Sequence, residues 1–309
     1  AEAVGYRPNY MARSLLSGRT GIVGICLCVP PSTPWYGELL CRLQLQLSEA
    51  NLYAITIVLD PFRRDARDRN ESWALNFFNQ IKAEAVLLGP CDHSRYQVVS
   101  QEYVATEKLI IFDSVDQLPC SHLMLDLVGG TQQAMQYLCE MGHRRIGYVS
   151  HYRSREVIHF EFQEHHYSVV ERAEAYLEFC RCRELTPLLP GRDSDHSPAE
   201  SVNTALEQGA TAFLTYAFND ALEVEYLLRK RGLNVPGDIS IITFNNPKIA
   251  AFTNPALTCI EIPVDEMGRA AAGLLLDRIR GDRAGACLKF TGKLVIREST
   301  APCRENKHN

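Results

Sequence analysis

The chain has 309 residues, 46% apolar and 22% charged, which is ordinary globular usage and enough for about two domains. With 32 Lys and Arg against 37 Asp and Glu, its formal charge of −5 provides no overall basic field for nucleic acid or an acidic membrane, so any DNA contact must be local. The longest apolar runs, Ile22 to Pro31 and Ala85 to Pro90, fall short of the roughly 20 residues that span a bilayer.

Residues 1–20 carry Arg7, Arg13 and Arg19 against the single Glu2, a locally basic stretch in an acidic chain. The start AEAVGYRPNYMARS has no basic leader followed by an apolar core, and so reads as unmarked for export. Eleven cysteines, an odd number scattered through apolar segments, read as reduced thiols, and a cytoplasmic location is expected. Pro8 to Gly18 reads as a very short helix that Asn9 caps and Gly18 ends. Leu15 and Leu16, exposed on a helix too short to be stable alone, suit either an amphipathic linker or an apolar wedge in a DNA minor groove, with arginines on the phosphates.

From Gly21 onward, short β-branched runs alternate with stretches of helical period. The runs Ile22–Val29, Tyr53–Leu59, Ala85–Leu88, Lys108–Phe112 and His122–Leu125 have the length of buried parallel strands. Between the first two, Tyr36, Leu39, Leu40, Leu43 and Leu47 form one helical stripe. A second series follows in Arg145–Val149, Ala212–Thr215 and Ile239–Phe244.

Helix starts are legible in this second half. Ser197-Pro198-Ala199-Glu200 predicts a capping box, Asp220 with Glu223 predicts an Asp cap, and Gly232 predicts a left-handed stop. Val264 to Ile279 predicts a helix whose exposed apolar stripe would pair two copies of the chain. Cys287–Phe290 and Lys293–Arg297 predict a hairpin around Thr291-Gly292. The expected fold is α/β, with two doubly wound parallel-sheet lobes and ligand sites at strand ends.

Ordered motifs along nearly the whole chain resemble the lactose-repressor/galactose-repressor (LacI/GalR) family of bacterial transcription regulators. They are Gly5-Tyr6-Arg7-Pro8-Asn9 with Ala12-Arg13-Ser14-Leu15, Gly142-His143-Arg144-Arg145-Ile146-Gly147-Tyr148, Thr211-Ala212-Phe213 and Asn219-Asp220. Gly232 through Ser240, Pro255-Ala256-Leu257-Thr258, Met267-Gly268 and Leu294 through Thr300 complete the series. The resemblance implies a type I periplasmic-binding-protein-like core that forms a homodimer, binds a small carbohydrate or related effector and is switched by it at operator DNA.

It also implies the domain plan. Residues 1–8 would be the end of a helix-turn-helix head that is otherwise missing, and 9–20 the hinge helix, with Asn9, Ala12, Arg13 and Leu15 at DNA. Residues 21–150 plus 262–286 would form the N-terminal lobe, 151–261 plus 287–302 the C-terminal lobe, and 303–309 a tail. A periplasmic-type solute-binding protein is the alternative with the same core.

Sugar recognition needs paired hydrogen-bonding groups and an aromatic face. Trp35 and Tyr36, after the first strand, supply the aromatics, and Asp92, Asp113 and Asp126 follow later strands. An Asp after a strand serves equally as a helix cap. Arg172 in Arg172-x-x-Ala175-Tyr176 resembles the family's ligand-binding arginine, and Asn219, Asp220 and Asn245 complete the candidates. Where family members usually carry Gly-Phe-Asp-Asp, this chain has Thr243-Phe244-Asn245-Asn246, so Asn245 hydrogen-bonds without bringing charge.

The His- and Glu-rich stretch His151–Tyr167 matches no metal spacing and reads as a solvated lid or partner-contacting insertion. No nucleophile elbow, phosphate loop or dinucleotide fingerprint is present. The expectation is a binding protein without catalytic residues, cofactor or metal.

Overall fold

The computed structural model describes residues 19–28, 34–59, 70–90, 108–113, 120–150, 167–189, 197–245, 248–282 and 285–304. The expected head remnant, the hinge with Asn9, Ala12, Arg13 and Leu15, the site candidate Asp92 and the insertion at 151–166 lie outside these residues.

Two compact units divide the chain, one of residues 1–124 and 264–288, the other of 125–263 and 289–309. In the first, β1 (Ile22–Leu27), β2 (Tyr53–Val58), β3 (Ala85–Gly89), β4 (Leu109–Phe112), β5 (Ser121–Asp126) and β10 (Cys287–Thr291) form one sheet in the order β10-β5-β4-β3-β1-β2. The pairs from β2 to β5 are parallel, with Cys26 of β1 opposite Ile57 and Leu88. The central β3 and β4 are buried throughout, which is why their sequences are continuous apolar runs instead of alternating ones.

Helix α1 (Pro34–Glu49) buries the predicted stripe Tyr36, Leu39, Leu43 and Leu47. Helix α2 (Glu71–Gln80) starts at Asn70, whose side chain accepts from Trp73 N. Cys26 and Cys28 share the core cluster into which Phe78 of α2 packs, as the strand reading expects. No disulfide joins the ten described cysteines.

The second unit holds α3 (Leu127–Glu140), β6 (Ile146–Val149), α4 (Tyr167–Cys182), α5 (Pro198–Glu207), β7 (Ala212–Thr215), α6 (Phe218–Lys230), β8 (Ser240–Phe244), a 3-10 turn (Lys248–Ala251), β9 (Thr258–Glu261) and β11 (Lys293–Val295). Its sheet order is β11-β9-β8-β7-β6. A parallel bridge from Leu188 to Gly147 stands on the outer side of β6, where the first unit has β2. Tyr176 of α4 reinforces it, donating to Ile146 O at 2.8 Å and accepting from Leu188 N at 2.8 Å. Gly147 is required by packing, since a Cβ there would stand 2.5 Å from the Phe213 ring.

Ser197 and Glu200 form the predicted capping box. Gly232 takes the predicted left-handed stop at φ +72°. Asp220 differs from expectation: α6 begins at Phe218, and Asp220, already in the first turn, reaches back to Ala217 N at 2.9 Å. The orphan amides at the start of a helix accept a carboxylate from either side.

Three further expectations are corrected. The passage into the second unit comes at Leu125, not at 150, because Ala134, Met135 and Leu138 of α3 share a core with Tyr148, Val169 and Tyr176. β10 and β11 form no hairpin but belong to different sheets. Between them Gly292 passes so close to β9 that a Cβ would meet Ile260 Cγ2 at 2.6 Å and Glu261 O at 3.0 Å. The stripe of α7 (Val264–Arg280) is not exposed, since Met267, Ala271 and Leu275 are buried. Helix α1 packs over α7, Gly268 admits the Arg42 stem, and Arg42 pairs with Asp265 at 2.6 Å.

Candidate functional site

Ligands of open parallel sheets bind beyond the carboxyl ends of the strands, and each unit gathers polar side chains there. The two strands that occupy equivalent places, β4 and β8, both end in a residue with left-handed backbone, Asp113 at φ +54° and Asn245 at φ +61°. Asp and Asn are the non-glycine residues that adopt this conformation most readily, and it turns both side chains at the same point of their sheets.

In the first unit, Asp113 is buried at 1% exposure, its amide donates to Leu123 O at 2.8 Å, and the Tyr36 hydroxyl donates to its Oδ2 at 2.5 Å. Trp35 stacks on Tyr36 with ring centroids 3.8 Å apart, and Phe112 meets Tyr36 edge-on at 5.9 Å. The structure thus brings three of the sequence candidates, Trp35, Tyr36 and Asp113, into one buried cluster. The charge-assisted bond from Tyr36 offsets part of the cost of holding a carboxylate away from water.

In the second unit, Arg172 of α4 is only 3% exposed. Its Nη1 donates to Tyr216 O at 2.7 Å and its Nη2 to Asn245 Oδ1 at 3.3 Å. The guanidinium carbon lies 4.2 Å from the Phe244 ring centre and 4.9 Å from that of Tyr216, so aromatic faces replace water around the cation. Tyr216 in turn shares a hydrogen bond with Ser168 at 2.6 Å. Tyr148 of β6, absent from the sequence candidates, joins this cluster. Burial pushes its phenol pKa far up, and the charges of Arg172 and Asp220 act on it. Its signal lay in the family-like Gly147-Tyr148 pair, which reads equally as core.

The remaining candidates are elsewhere. Asp126 caps α3, accepting from Gly129 N at 3.0 Å, and takes Thr291 Oγ1 at 3.0 Å and Lys289 Nζ at 3.3 Å. Burial works to raise its pKa, but these three partners outweigh it and hold the carboxyl below the usual range. These partners do not include Arg172 or Asn245. Asn219 is exposed at the start of α6, and Asp220 is buried beneath it.

A cavity of about 400 Å3 opens at the amino ends of β7 and β8, against His143 and Thr211. His143 Nδ1 meets Thr211 Oγ1 at 2.9 Å, and its Nε2 faces Ser240 Oγ and Ala301 O, each at 3.1 Å. Because a carbonyl only accepts, Nε2 donates to Ala301 O, both ring nitrogens have partners, and burial holds the imidazole pKa below its ordinary value. This histidine anchors the segment around Ala301 to the sheet. Among the described residues no group of His, Cys, Asp and Glu has the geometry of a metal site. No described helix is long and apolar enough to cross a membrane.

Two α/β units of matching topology, each with a polar cluster at its strand ends, define a two-lobed parallel-sheet fold. Residues 135–300 match the model of the periplasmic binding protein-like domain. The chain belongs to that family, as a regulator of the LacI/GalR type.

Catabolite control protein A of Priestia megaterium is 26% identical over 317 residues, covering 97% of this chain and 87% of that protein. The HTH-type transcriptional repressor CytR of Escherichia coli K12 is 29% identical over 316 residues, covering 97% and 85%. Among solved structures, the lac repressor bound to ONPG in its repressed state superposes with a TM-score of 0.77 at 17% identity, over 97% of this chain and 88% of that one. A LacI family regulator of Enterococcus faecium with bound ribose gives 0.72 at 18%, over 92% and 100%. The curated relatives are transcription regulators, which favours that function over the solute-binding alternative.

Proposed function

We propose that this chain is the effector-sensing, dimerising core of a bacterial transcription repressor, whose affinity for operator DNA is switched by a small sugar-like ligand. The observation that carries this reading is the buried Arg172–Asn245 cluster at the strand ends of the second unit. A cation with aromatic faces and an amide beside it suits hydroxyl-rich ligands. Trp35, Tyr36 and Asp113 form a separate polar and aromatic cluster at the strand ends of the first unit, and no catalytic chemistry is required of either cluster. A thermal-shift screen over sugars, sugar acids, sugar phosphates and nucleosides tests it, because a ligand of the folded state raises its stability with saturation. Arg172→Ala is expected to abolish the shift given by the hit. An unchanged shift in that variant removes Arg172 from the site.

The partner in the dimer is a second copy of this chain, as a palindromic operator requires. Leu222 and Tyr226, one turn apart on α6, and Ile249 and Phe252 at the 3-10 turn are exposed apolar side chains, Phe252 at 84%. Ala250 of that turn packs into the same core as the inner face of α6, so these residues replace the α7 stripe as the candidate dimer surface. Sedimentation is expected to give a dimer that Tyr226→Asp with Phe252→Asp converts to a 34.8 kDa monomer. In operator-binding assays of the whole repressor, Leu15→Ala is expected to weaken operator binding and leave effector affinity unchanged.

A further inference from the structure

The second-unit cluster holds more donors than acceptors. Arg172 Nε and Tyr148 Oη are both buried with no hydrogen-bond partner, in side chains only 3% and 1% exposed. The other guanidinium nitrogens spend their bonds on a backbone carbonyl and an amide oxygen, neither of which carries charge. Among the described residues no carboxylate forms an ion pair with Arg172. Asp220, the buried acid in the first turn of α6, accepts from Ala217 N. The side chain that meets the guanidinium from the end of β8 is the neutral amide of Asn245. A buried guanidinium without a counter-charge and two buried N–H and O–H groups without acceptors are each costly. The arrangement becomes favourable when a ligand brings an anion with free lone pairs.

We propose that this cluster binds the oxyanion of an acidic effector, a sugar carboxylate or a sugar phosphate, whose oxygens accept from Arg172 Nε and Tyr148 Oη while Asn245 leaves the cation uncompensated for it. This rests on the effector reading of the same cluster and specifies the ligand's charge. Planar carboxylate and tetrahedral phosphate both fit the donor fork of an arginine. An Asp at 245 would fill the role of the ligand's charge from within the protein. An Asn there reserves that role for the effector.

The test is calorimetric titration of the full chain with D-gluconate, D-ribose 5-phosphate and D-ribose, in wild type, Asn245→Asp and Tyr148→Phe. In wild type one of the two acids is expected to bind and D-ribose not, and which acid binds distinguishes carboxylate from phosphate. Asn245→Asp, nearly isosteric, is expected to fold as well as wild type and to lose about ten-fold or more of the acid's affinity, since it neutralises Arg172. Tyr148→Phe is expected to bind the acid several-fold more weakly with an undiminished melting temperature, because the hydroxyl it removes has no partner in the protein. A role confined to packing moves neither affinity. If D-ribose binds and the acids do not, or Asn245→Asp binds the acid as wild type does, the anion proposal is overturned while the effector reading stands. If none of the three binds, the anion proposal fails as well, and the thermal-shift screen decides the effector reading separately.

Discussion

The two units place a residue of the same backbone geometry at the same point of their sheets, yet surround it with opposite electrostatics. Asp113 brings a buried negative group that the chain itself satisfies through Tyr36 at 2.5 Å. Asn245 faces a buried positive group that the chain leaves short of partners, with Arg172 Nε and Tyr148 Oη both unbonded. A self-satisfied cluster contributes to the stability of its unit, whereas an under-satisfied one stores free energy that a ligand recovers. Fold duplication therefore does not make the clusters equivalent. The first is satisfied within its own unit, and the second is where we propose that ligand charge decides affinity.

Removing Arg172 breaks the comparison most. Arg172→Ala is expected to reduce effector affinity by on the order of 2–3 kcal/mol, the upper range for a charge-assisted hydrogen bond, measured by calorimetry with the identified ligand. The variant also takes the donor away from Tyr216 O and Asn245 Oδ1, so a loss of stability accompanies the loss of binding.

Tyr36→Phe probes the opposite case. It leaves a buried carboxylate one donor short, and is expected to cost about 1.5–3 kcal/mol of stability, read from urea unfolding. Hydrogen exchange should show the loss in the first unit and not in the second. Equal loss in both would mean that the units do not unfold separately.

The shared backbone geometry sharpens the comparison further. Asn245→Val and Asp113→Val each force a β-branched residue into a left-handed conformation, at about 1–2 kcal/mol of strain. Asp113→Val should cost more in total, since it also removes the acceptor of the 2.5 Å bond from the Tyr36 hydroxyl. Asn245→Val removes one acceptor from Arg172 and should lower ligand affinity as well.

The smallest effect is at the other end of the second sheet. Burial holds the His143 imidazole below its ordinary pKa, so the unfolded chain takes up a proton near pH 6.5 while the folded chain does not. The histidine's contribution is complete above that pH and is lost as pH falls toward the folded value. Urea midpoints between pH 7.5 and 5.5 should fall with acid, with a shallower slope in His143→Gln. Asp126, with its lowered pKa, contributes above the ordinary Asp range of about 4, and its share is lost only as pH falls below that.

Much of this architecture was legible along the chain. Continuous apolar runs gave the buried strands of both sheets, the spacing from Tyr36 to Leu47 gave a helix, and Ser197 with Glu200 and Gly232 gave helix ends. These are local properties: period, capping and handedness depend on a few neighbouring residues. Arg172 and Asn245 were legible as candidates through resemblance, and their contact follows from the strand and helix that carry them.

The pairing of distant segments was not legible. Thr291-Gly292 has the chemistry of a hairpin turn, but turn chemistry does not state which strand each arm will join, and here the arms join different sheets. The stripe of Val264–Arg280 shows a face that must be covered without naming the cover, which is α1 of the same unit. Leu127–Glu140 reads as a helix anywhere, and only its packing against Tyr148 and Tyr176 assigns it to the second unit. Asp126 and Asp113 look alike in sequence as acids after strands, yet one caps a helix while the other is buried under a tyrosine. Sequence by itself determined the elements, because hydrogen bonding and amphipathic period are set within a few residues. Tertiary structure alone decided which faces meet and which donors are left without acceptors, because burial and its electrostatic cost belong to groups brought together from far along the chain.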